Sequence, residues 1–400
     1  MTYNDNYNIP EELLEQICDQ GLDAIPDLIR IILNTAMKIE RQKHLGAGPY
    51  ERTPQRQGHA NGYKPKTMAT RVGEITFDIP QVRDCDFYPG SLEKGIRSER
   101  ALKLALAEMY VQGVSTRKVA AITEKMCGFE VSSSQVSQAT AKLDGQLQEW
   151  RERPLGPIRY LYLDALYEKV RQDSQIRNAA ILLAVGVNED GKREVLGVSV
   201  SLGEHEVHWR SFLQSLVSRG LIGVKLITSD DHSGLESARK AVFGGVPWQR
   251  CQCHLQRNAQ GYVPRRSMKV DVASDIRAVF NAPDKHEADL LLKKVVEKYS
   301  KEAPKLSAWM EKNLPEGLTV FAFPREHRRL IRTTNGLERL NREIRRRSRV
   351  AVLFPNDASC LRLVTAVIME ISVLPSLGGT RSEDWQTGNR YIKWDSDESE

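Results

Sequence analysis

The chain has 400 residues, of which 40% are hydrophobic and 28% are charged, a composition typical of a globular protein with two or three domains. No apolar run approaches the roughly 18 residues that a transmembrane helix requires. The first residues also lack the order of a signal peptide, so we expect a cytoplasmic protein with no membrane partner. The 6 cysteines are scattered, which favours reduced thiols. The net charge of +6 favours a polyanionic partner.

The start of the chain is predicted to be helical. Leucine and isoleucine recur at helical spacing over residues 10–45, and we interpret residues 1–45 as a packing or oligomerisation segment of a homo-oligomer. Residues 46–66 are rich in glycine, proline and basic residues, and residues 72–82 alternate apolar and polar side chains as a half-exposed strand does. The basic stretch is open to two interpretations, a phosphate contact or a solvated linker, and the linker is favoured.

Residues 113–143 carry capping residues at the spacing of a helix-turn-helix motif. Ser115 is placed to cap a first helix, Gly128 to end it, and Ser132 or Ser133 to cap a second. Two short amphipathic helices are also common in proteins that do not bind DNA, so spacing alone leaves the function open. The candidate DNA contacts are Arg117, Lys118, Gln135 and Gln138.

The stretch from Arg159 to Val170 is predicted to be a buried strand that Asp164 interrupts. The four residues before the acid, Tyr-Leu-Tyr-Leu, have high β propensity. An ionised carboxylate is costly to bury unless it is paired or binds a metal. Asp164 is therefore either a salt-bridged core residue or a cation ligand.

The elements from Arg159 onward follow the order strand, strand, strand, helix, strand, helix, strand. This order is typical of a ribonuclease H-like α/β core, a mixed five-stranded sheet with helices. The elements after the first strand are strands at 179–187 and 195–200, a helix at 207–219, a strand at 224–228, a helix at 235–243 and a strand at 247–253. The first acid, Asp164, lies on the first strand. The second follows the fourth strand, where Asp230 is nearer to the strand end than Asp231.

A third acid is expected on the helix that completes such a core, and the best candidate is Glu338. Asn335, three residues earlier, also forms a capping-box pattern with Glu338, which is the structural alternative. The helical residues before Glu338 are interpreted as an insertion. The predicted division is a DNA-binding region at 46–153, the catalytic core at 154–261 and 333–374, a helical insertion at 262–332 and a C-terminal tail at 375–400.

Ten arginines and three acids occur between Pro324 and Arg349. Several of the arginines follow Glu338 at helical spacing, as a basic stripe on one helix face. The stripe is either a solvated face or a contact to the DNA backbone, and the large excess of arginine favours DNA. The candidate DNA-binding residues here are Arg339, Arg342, Arg345, Arg346 and Arg349.

Three carboxylates, those of Asp164, Asp230 and Glu338, can hold two divalent cations about 3.5–4 Å apart. One cation activates a water or a 3′-hydroxyl, and the other stabilises the leaving oxygen of a phosphoryl transfer. Mg²⁺ suits such a site because it prefers oxygen ligands, and Mn²⁺ can substitute. Because the acids are far apart in the chain, only the fold can bring them together.

The sequence Cys-Gln-Cys-His, from Cys251 to His254, closes the predicted fifth strand. A structural zinc site needs four ligands, and no second cysteine or histidine pair follows at a usable spacing. We therefore interpret Cys251 and His254 as side chains that brace the active site from behind the metal ligands or contact DNA.

Seven stretches in order give the chain a resemblance to the Mutator-type transposases of bacterial insertion sequences. They are GAGPYER (46–52), NGYKPKT (61–67), GVSTRKV (113–119), LDALYEKVR (163–171), SDDHSGL (229–235), RCQCHLQRN (250–258) and TTNGLERLNREIRRR (333–347). The resemblance implies a DDE transposase whose triad is Asp164, Asp230 and Glu338, with Cys251 and His254 as the family's C-x-x-H pair. It also implies that the N-terminal third binds terminal inverted repeats. The segment VLPSLGGTRSE (373–383) departs from the family pattern.

The hypothesis is therefore a bacterial, metal-dependent transposase that binds the ends of its transposable element, cleaves one DNA strand and joins the 3′-hydroxyl to target DNA. Such an enzyme of DNA recombination associates with the nucleoid when it is bound to DNA. Two alternatives stay open: a non-catalytic DNA-binding regulator and a structure-specific nuclease that performs no strand transfer.

Overall fold

The computed structural model describes residues 11–141, 143–349 and 353–373. The chain divides into two compact units, residues 1–142 and 143–400. The predicted tail and all but the first residue of the unusual segment at 373–383 lie outside the described residues. None of the described helices is long and apolar enough to cross a membrane.

The first unit combines helices with one antiparallel hairpin. Its elements are α1 (Glu11–Gln20), a 3₁₀ turn (Gly21–Ala24), α2 (Ile25–Leu45), β1 (His59–Thr70), β2 (Gly73–Arg83), α3 (Arg100–Val111), α4 (Thr116–Cys127) and α5 (Ser133–Ala141). The helical prediction for residues 10–45 is confirmed, with one 3₁₀ interruption. The linker interpretation of residues 46–66 is wrong from His59 onward, because those residues pair with β2. Strand β1 is mostly exposed and polar, so its sequence lacks the apolar alternation that marks a strand.

Helix α4 begins and ends, and α5 begins, with the caps that the sequence indicates. The Ser115 hydroxyl accepts a hydrogen bond from the Lys118 backbone N–H at 3.3 Å, and Gly128 ends α4 with φ +72°. Ser132 and Gln135 cap α5 reciprocally. The Gln135 N–H donates to the Ser132 hydroxyl at 3.2 Å, and the Ser132 N–H donates to the Gln135 side-chain carbonyl at 2.7 Å.

The second unit is built on a mixed five-stranded sheet. Its strands are β3 (Ile158–Gln172), β4 (Gln175–Asn188), β5 (Arg193–Ser201), β6 (Leu226–Ser229) and β7 (Trp248–Arg250). The spatial order is β5-β4-β3-β6-β7. Strands β3, β4 and β5 form an antiparallel meander, whereas β6 and β7 continue the sheet in parallel with β3. The predicted sequence of strands and helices is confirmed.

Helices surround this sheet. They are α6 (Asp144–Glu152), α7 (Glu206–Ser218), α8 (Ser233–Val242), α9 (Gln252–Ala259), α10 (Lys269–Phe280), α11 (Lys285–Tyr299), α12 (Pro304–Asn313), α13 (Arg325–Ile331), α14 (Asn335–Ser348) and α15 (Asp357–Val373). The main core packs Trp209, Phe212 and Leu213 of α7 against Leu161 and Leu163 of β3, all of them buried. Burial of such large apolar side chains contributes roughly 1.5–3 kcal/mol for each residue.

The fifth strand is shorter than the sequence predicts, and Cys253 and His254 do not belong to it. Cys251 makes the last ladder bond, donating its N–H to the carbonyl of Ser229 at 2.8 Å. The next N–H, that of Gln252, turns to the carbonyl of Arg332 at 3.1 Å, and α9 begins there. The prediction of a strand through Cys253 is therefore wrong, because the chain enters α9 at Gln252.

Candidate active site

The parallel pairing of β3 with β6 brings two acids to the same level of the sheet. Tyr162 lies opposite Thr228 in this ladder. Two residues further along each strand direction come Asp164, still within β3, and Asp230, directly after β6. Because paired parallel strands rise in step, the two residues lie at the same level, at the end of the sheet where β6 stops.

Alternation along β3 decides which face of the sheet Asp164 occupies. Leu161 and Leu163 point into the core under α7. Tyr160 and Tyr162 point to the opposite face. There the Tyr160 hydroxyl contacts His327 Nδ1 at 2.8 Å, and the Tyr162 hydroxyl donates to the Leu330 carbonyl at 3.1 Å. Asp164 continues this second row, since side chains two residues apart share a face.

The Asp164 carboxylate is held by hydrogen bonds. Its Oδ2 accepts from the Asn341 side-chain amide at 2.8 Å, and its Oδ1 accepts from the Ala165 N–H at 3.0 Å. Desolvation raises the pKa of Asp164 to about 6, while the charge of His254 and these two hydrogen bonds act in the opposite direction. No lysine or arginine of the described chain forms a salt bridge with Asp164, so the salt-bridged interpretation is not supported.

The raised pKa means that the ionised form of Asp164 is destabilised by burial at neutral pH. A carboxyl in an unfolded chain has a pKa of about 4. Because the folded protein binds this proton more tightly than the unfolded chain does, ionisation of Asp164 costs stability as the pH rises from about 4 to about 6. A cation bound at the carboxylate would offset that cost.

The adjacent acids Asp230 and Asp231 have different partners. Asp231 Oδ2 lies 3.1 Å from Nη1 of Arg250, whose side chain is only 5% exposed. Arg250 also reaches Glu316 and Asn313, each at 2.9 Å, so Asp231 is one of two partly exposed acids paired with this buried arginine. Asp230 Oδ2 instead faces His254 Nδ1 at 3.9 Å. The geometry therefore leaves Asp230, rather than Asp231, available beside Asp164.

Cys251 and His254 lie next to these acids, at the start of α9. The Cys251 sulfur accepts hydrogen bonds from the N–H and the hydroxyl of Thr334, each at 3.4 Å. Hydrogen bonds from Cys253 and His254 lower the pKa of the Cys251 thiol, and the same contact to Cys251 raises the pKa of His254 to about 9. This raised pKa favours the protonated imidazole of His254, to which the charges of Asp230 and Asp164 also contribute.

Glu338 lies in the first turn of α14 and lines an open cleft of about 460 Å³ together with Asp164, Ala165 and His254. Its Oε1 lies 3.5 Å from Nη2 of Arg257 on α9. The capping-box interpretation is wrong, because Asn335 is the first residue of the helix and Thr334 occupies the cap position. The Glu338 carboxylate therefore faces the cleft and not the helix end.

Four of the five arginines predicted on α14 line the same cleft. They are Arg342, Arg345, Arg346 and Arg349. Arg339 is exposed and does not belong to this lining. Arg346 is paired with Glu343 at 2.6 Å, and Arg347, only 7% exposed, contacts Glu343 and also Glu370 of α15. Residue Glu343 thus fixes part of the basic wall.

Carboxylate oxygens are the donors that Mg²⁺ and Mn²⁺ prefer, so the donor set fits a divalent cation. Asp164 and Asp230 each lie two residues beyond the paired Tyr162 and Thr228, and Glu338 lines the cleft that Asp164 borders. Within the described ranges, no three His, Cys, Asp or Glu residues are close enough together to hold a metal. Glu338 is half-exposed on its helix, and a different side-chain rotamer would be needed for it to join the two aspartates.

Sequence reasoning missed three residues that contact the acids: Asn341, Arg257 and Arg250. Asn341 follows Glu338 by three residues and so shares its helix face, which was a usable signal. Arg257 likewise follows His254 by three residues on α9. Arg250 gave no local signal, because its partners Asp231 and Glu316 are distant in sequence.

The four residues predicted to contact DNA in the first unit are all exposed: Arg117, Lys118, Gln135 and Gln138. Arg117 and Lys118 lie in the first turn of α4, and the two glutamines lie on α5. The Gln135 carbonyl is used in the cap of its own helix. Its amide group is the part that stays available.

Comparison with known proteins identifies the family. The profile described as "Transposase, Mutator family" matches residues 5–373, and the chain belongs to this family. It is 54% identical to the transposase for insertion sequence element IS406 of Burkholderia multivorans, over 94% of this chain and 95% of that protein. It is 34% identical to the transposase for IS256 in transposon Tn4001 of Staphylococcus aureus, over 98% and 99% of the two chains.

A third relative is the transposase for insertion sequence element IS1081 of Mycobacterium tuberculosis, at 35% identity over 94% of this chain and 90% of that protein. Among solved structures, 51% of this chain aligns with 64% of a chain from the cryo-EM structure of the simian T-cell lymphotropic virus intasome in complex with PP2A regulatory subunit B56 gamma. The identity is 10% and the TM-score is 0.18, so no argument rests on this alignment.

Proposed function

We propose that this protein is the transposase of an insertion sequence, which cleaves DNA at the ends of its element and joins the freed ends to target DNA with a DDE triad. The observation that carries the proposal is the β3/β6 register. It sets Asp164 level with Asp230, and the Asp164 cleft also contains Glu338 and five arginines. The names of the three relatives, all transposases for insertion sequence elements, support it.

The core is proposed to be ribonuclease H-like, interrupted by a helical insertion at residues 262–332. The strand order β5-β4-β3-β6-β7, with its antiparallel meander and two parallel strands, supports this assignment. The insertion consists of α10 to α13 with 3₁₀ turns, and α14 then returns to the sheet with the third acid. In such a core, function depends on the acids at the strand ends and not on the fold alone.

Asp164, Asp230 and Glu338 are the residues that would hold Mg²⁺ or Mn²⁺. The bound ions supply activation of the attacking water or 3′-hydroxyl and stabilisation of the leaving oxygen. Asn341 fixes the orientation of Asp164 through its 2.8 Å hydrogen bond. Arg342, Arg345 and Arg349 hold the phosphodiester backbone in the cleft, by contacts that do not depend on base sequence.

The cationic His254 contributes by reducing repulsion between the two aspartates. Two ionised carboxylates side by side repel each other, and a positive charge close to both offsets this repulsion. Cys251 fixes the start of α14 through Thr334. We therefore assign Cys251 and His254 to bracing of the site. A structural zinc site at these residues is not part of this proposal.

The first unit is proposed to bind the terminal inverted repeats through α4 and α5 as a helix-turn-helix. The exposed polar residues of α5, on the second helix of the pair, are suited to reading base edges in the major groove. Residues 46–153 are the proposed DNA-binding region, and assembly as a homo-oligomer would bring two element ends together.

The direct test uses a labelled duplex that carries the terminal repeat of this element, with Mg²⁺ or Mn²⁺, and compares the wild type with Glu338→Gln. We expect metal-dependent nicking and joining to a second DNA in the wild type, and neither reaction in the variant. Nicking without joining would support the structure-specific nuclease. Binding without any chemistry in the wild type would support the non-catalytic regulator and contradict the proposal.

A further inference from the structure

A second cleft, of about 440 Å³, lies between α9 and α10. Arg257 lines both this cleft and the one that contains Glu338, whereas Cys253 lines only the second cleft. The other residues that line it are Gln256, Gln260, Lys269, Val270, Ala273 and Arg277. We name it the α9–α10 cleft. It is adjacent to the proposed active site and is not part of the triad.

The floor of the α9–α10 cleft is fixed by hydrogen bonds between the two helices. The Gln256 amide donates to the carbonyl of Ala273 at 3.3 Å, and the Gln260 amide donates to the carbonyl of Lys269 at 3.2 Å. Both glutamines are half-buried. Because these bonds join α9 to the first half of α10, the cleft has a defined shape even though it is open to solvent.

The charge of the α9–α10 cleft has one sign. Three cations line it, Arg257, Lys269 and Arg277, and no acid does. Lys269 lies in the first turn of α10, which also carries the exposed Asp271 outside the cleft lining. Val270, Ala273 and Arg277 share one helix face by their spacing of three and four residues. The acid Asp275, on a different face, is bound to Lys298 of α11 at 2.7 Å.

Lys269 and Arg277 are exposed, and neither forms an ion pair within the described part of the chain. Arg277 Nε donates to the carbonyl of Ala273 in its own helix at 3.0 Å, which orients the guanidinium along the cleft. Cations that are held at a concave surface without a protein counter-ion attract a polyanion, and the phosphodiester backbone matches a row of such charges.

We propose that the α9–α10 cleft binds the phosphodiester backbone of the DNA strand adjoining the scissile phosphate. Arg257 forms the shared wall, so a strand placed with one phosphate at Asp164 continues past Arg257 towards Lys269 and Arg277. The cleft thereby gives α10, within the helical segment at 262–332, a role in holding substrate. The inference that DNA is the occupant rests on the proposed function. The basic cleft itself is independent of that function.

The test is the salt dependence of DNA binding by the full chain. The variant Lys269→Gln/Arg277→Gln removes two cations from the cleft. The matched control, Lys293→Gln/Lys294→Gln, removes two exposed lysines of α11 that line neither cleft. Affinity for a fluorescent duplex carrying the terminal repeat is measured without metal over a range of salt concentrations, so that no chemical step enters the result. Thermal melts establish that all three proteins are folded.

Removal of one cation that binds a phosphate lowers the slope of log affinity against log salt by about 0.9 on duplex DNA. The slope of the cleft variant should therefore be smaller by about 1.8, which corresponds to roughly 30-fold weaker binding near 0.15 M salt. The control should match the wild type. If the cleft variant and the control give equal slopes, the inference is wrong. A separate cleavage assay on the wild type decides the proposed function, because the slope is measured whether or not the protein cuts.

Discussion

The strand ends and the start of α14 position their acids in different ways. Asp164 and Asp230 are placed by backbone pairing, since the β3/β6 ladder sets their level. Asp164 is further tied by hydrogen bonds and carries a raised pKa of about 6. Glu338 is half-exposed on a helix, and its carboxylate contacts Arg257 at 3.5 Å.

The site thus combines two acids at strand ends with a third acid on a helix. Burial makes Asp164 costly to keep ionised, so the folded chain favours cation binding at this carboxylate. The third acid is positioned by packing of α14, through Thr334 on Cys251 and through Asn341 on Asp164. Substitutions can remove these two kinds of positioning separately.

The largest expected effect on cleavage follows substitution of an acid at a strand end. Asp164→Asn removes a metal-binding charge, and we expect strand cleavage to fall by about 1000-fold or more. DNA affinity should change little, because the arginines of the cleft are untouched. Cleavage and binding are measured on the same labelled duplex. Loss of both together, with a lower melting temperature, would indicate a folding role for Asp164 and contradict this account.

Loss of the hydrogen bond between Asn341 on α14 and Asp164 on β3 should lower cleavage by less. Asn341→Ala keeps all three carboxylates but removes the hydrogen bond that orients Asp164. Residues that orient metal ligands typically change activity by about 10–100-fold. We expect a fall of that size in cleavage rate at saturating DNA. Cleavage equal to that of the wild type would show that β3 alone positions Asp164.

The neighbouring acids sharpen the comparison further. Asp230→Asn should resemble Asp164→Asn, whereas Asp231→Asn should lower cleavage by only about tenfold, because Asp231 is engaged by the buried Arg250. The two variants make the same chemical change at adjacent positions, so each serves as the control for the other. A larger loss in Asp231→Asn than in Asp230→Asn would reverse their assignment.

The smallest expected effect concerns the ion pairs of Glu343 with Arg346 and Arg347 on α14. Hydrogen bonds from Arg346, and also from Arg347, lower the pKa of Glu343 to about 2, against an opposing effect of desolvation. A lowered carboxyl pKa stabilises the fold above the unfolded value of about 4.3, and this stability is lost as the pH falls towards about 2.

Glu343→Gln should therefore lower the free energy of unfolding by about 1 kcal/mol at pH 7, a value reduced for partial exposure. The difference from the wild type should shrink as the pH falls below about 4. Urea unfolding measures both quantities. Glu311→Gln, at an exposed position of α12, is the control and should leave stability unchanged. An effect of Glu343→Gln that is independent of pH would exclude the ion pairs as its cause.

The sequence predicts this architecture well where signals are local. The order of strands and helices around Asp164 follows from apolar runs and turns, and the caps at Ser115, Gly128 and Ser132 follow from residue type. The arginine stripe follows from helical spacing, and four of its five arginines line the cleft. These features need no knowledge of distant partners.

Other features could not be predicted because distant residues decide them. The fifth strand ends at Arg250, and Gln252, where α9 begins, donates its N–H to the distant carbonyl of Arg332. Asp231 is engaged because Arg250 is buried against the segment that carries Glu316. Strand β1 escapes prediction because its exposed polar residues show no apolar alternation. The roles assigned to the triad and to the DNA-binding residues stay predictions.

The most direct test of the central claim is manganese binding, measured by electron paramagnetic resonance on the DNA complex of the wild type, Asp164→Asn, Asp230→Asn and Asp231→Asn. We expect the wild type and Asp231→Asn to bind Mn²⁺ tightly, and Asp164→Asn and Asp230→Asn to lose that binding. If Asp164→Asn binds manganese as tightly as the wild type does, the paired strand-end acids are not the metal site and the account is wrong.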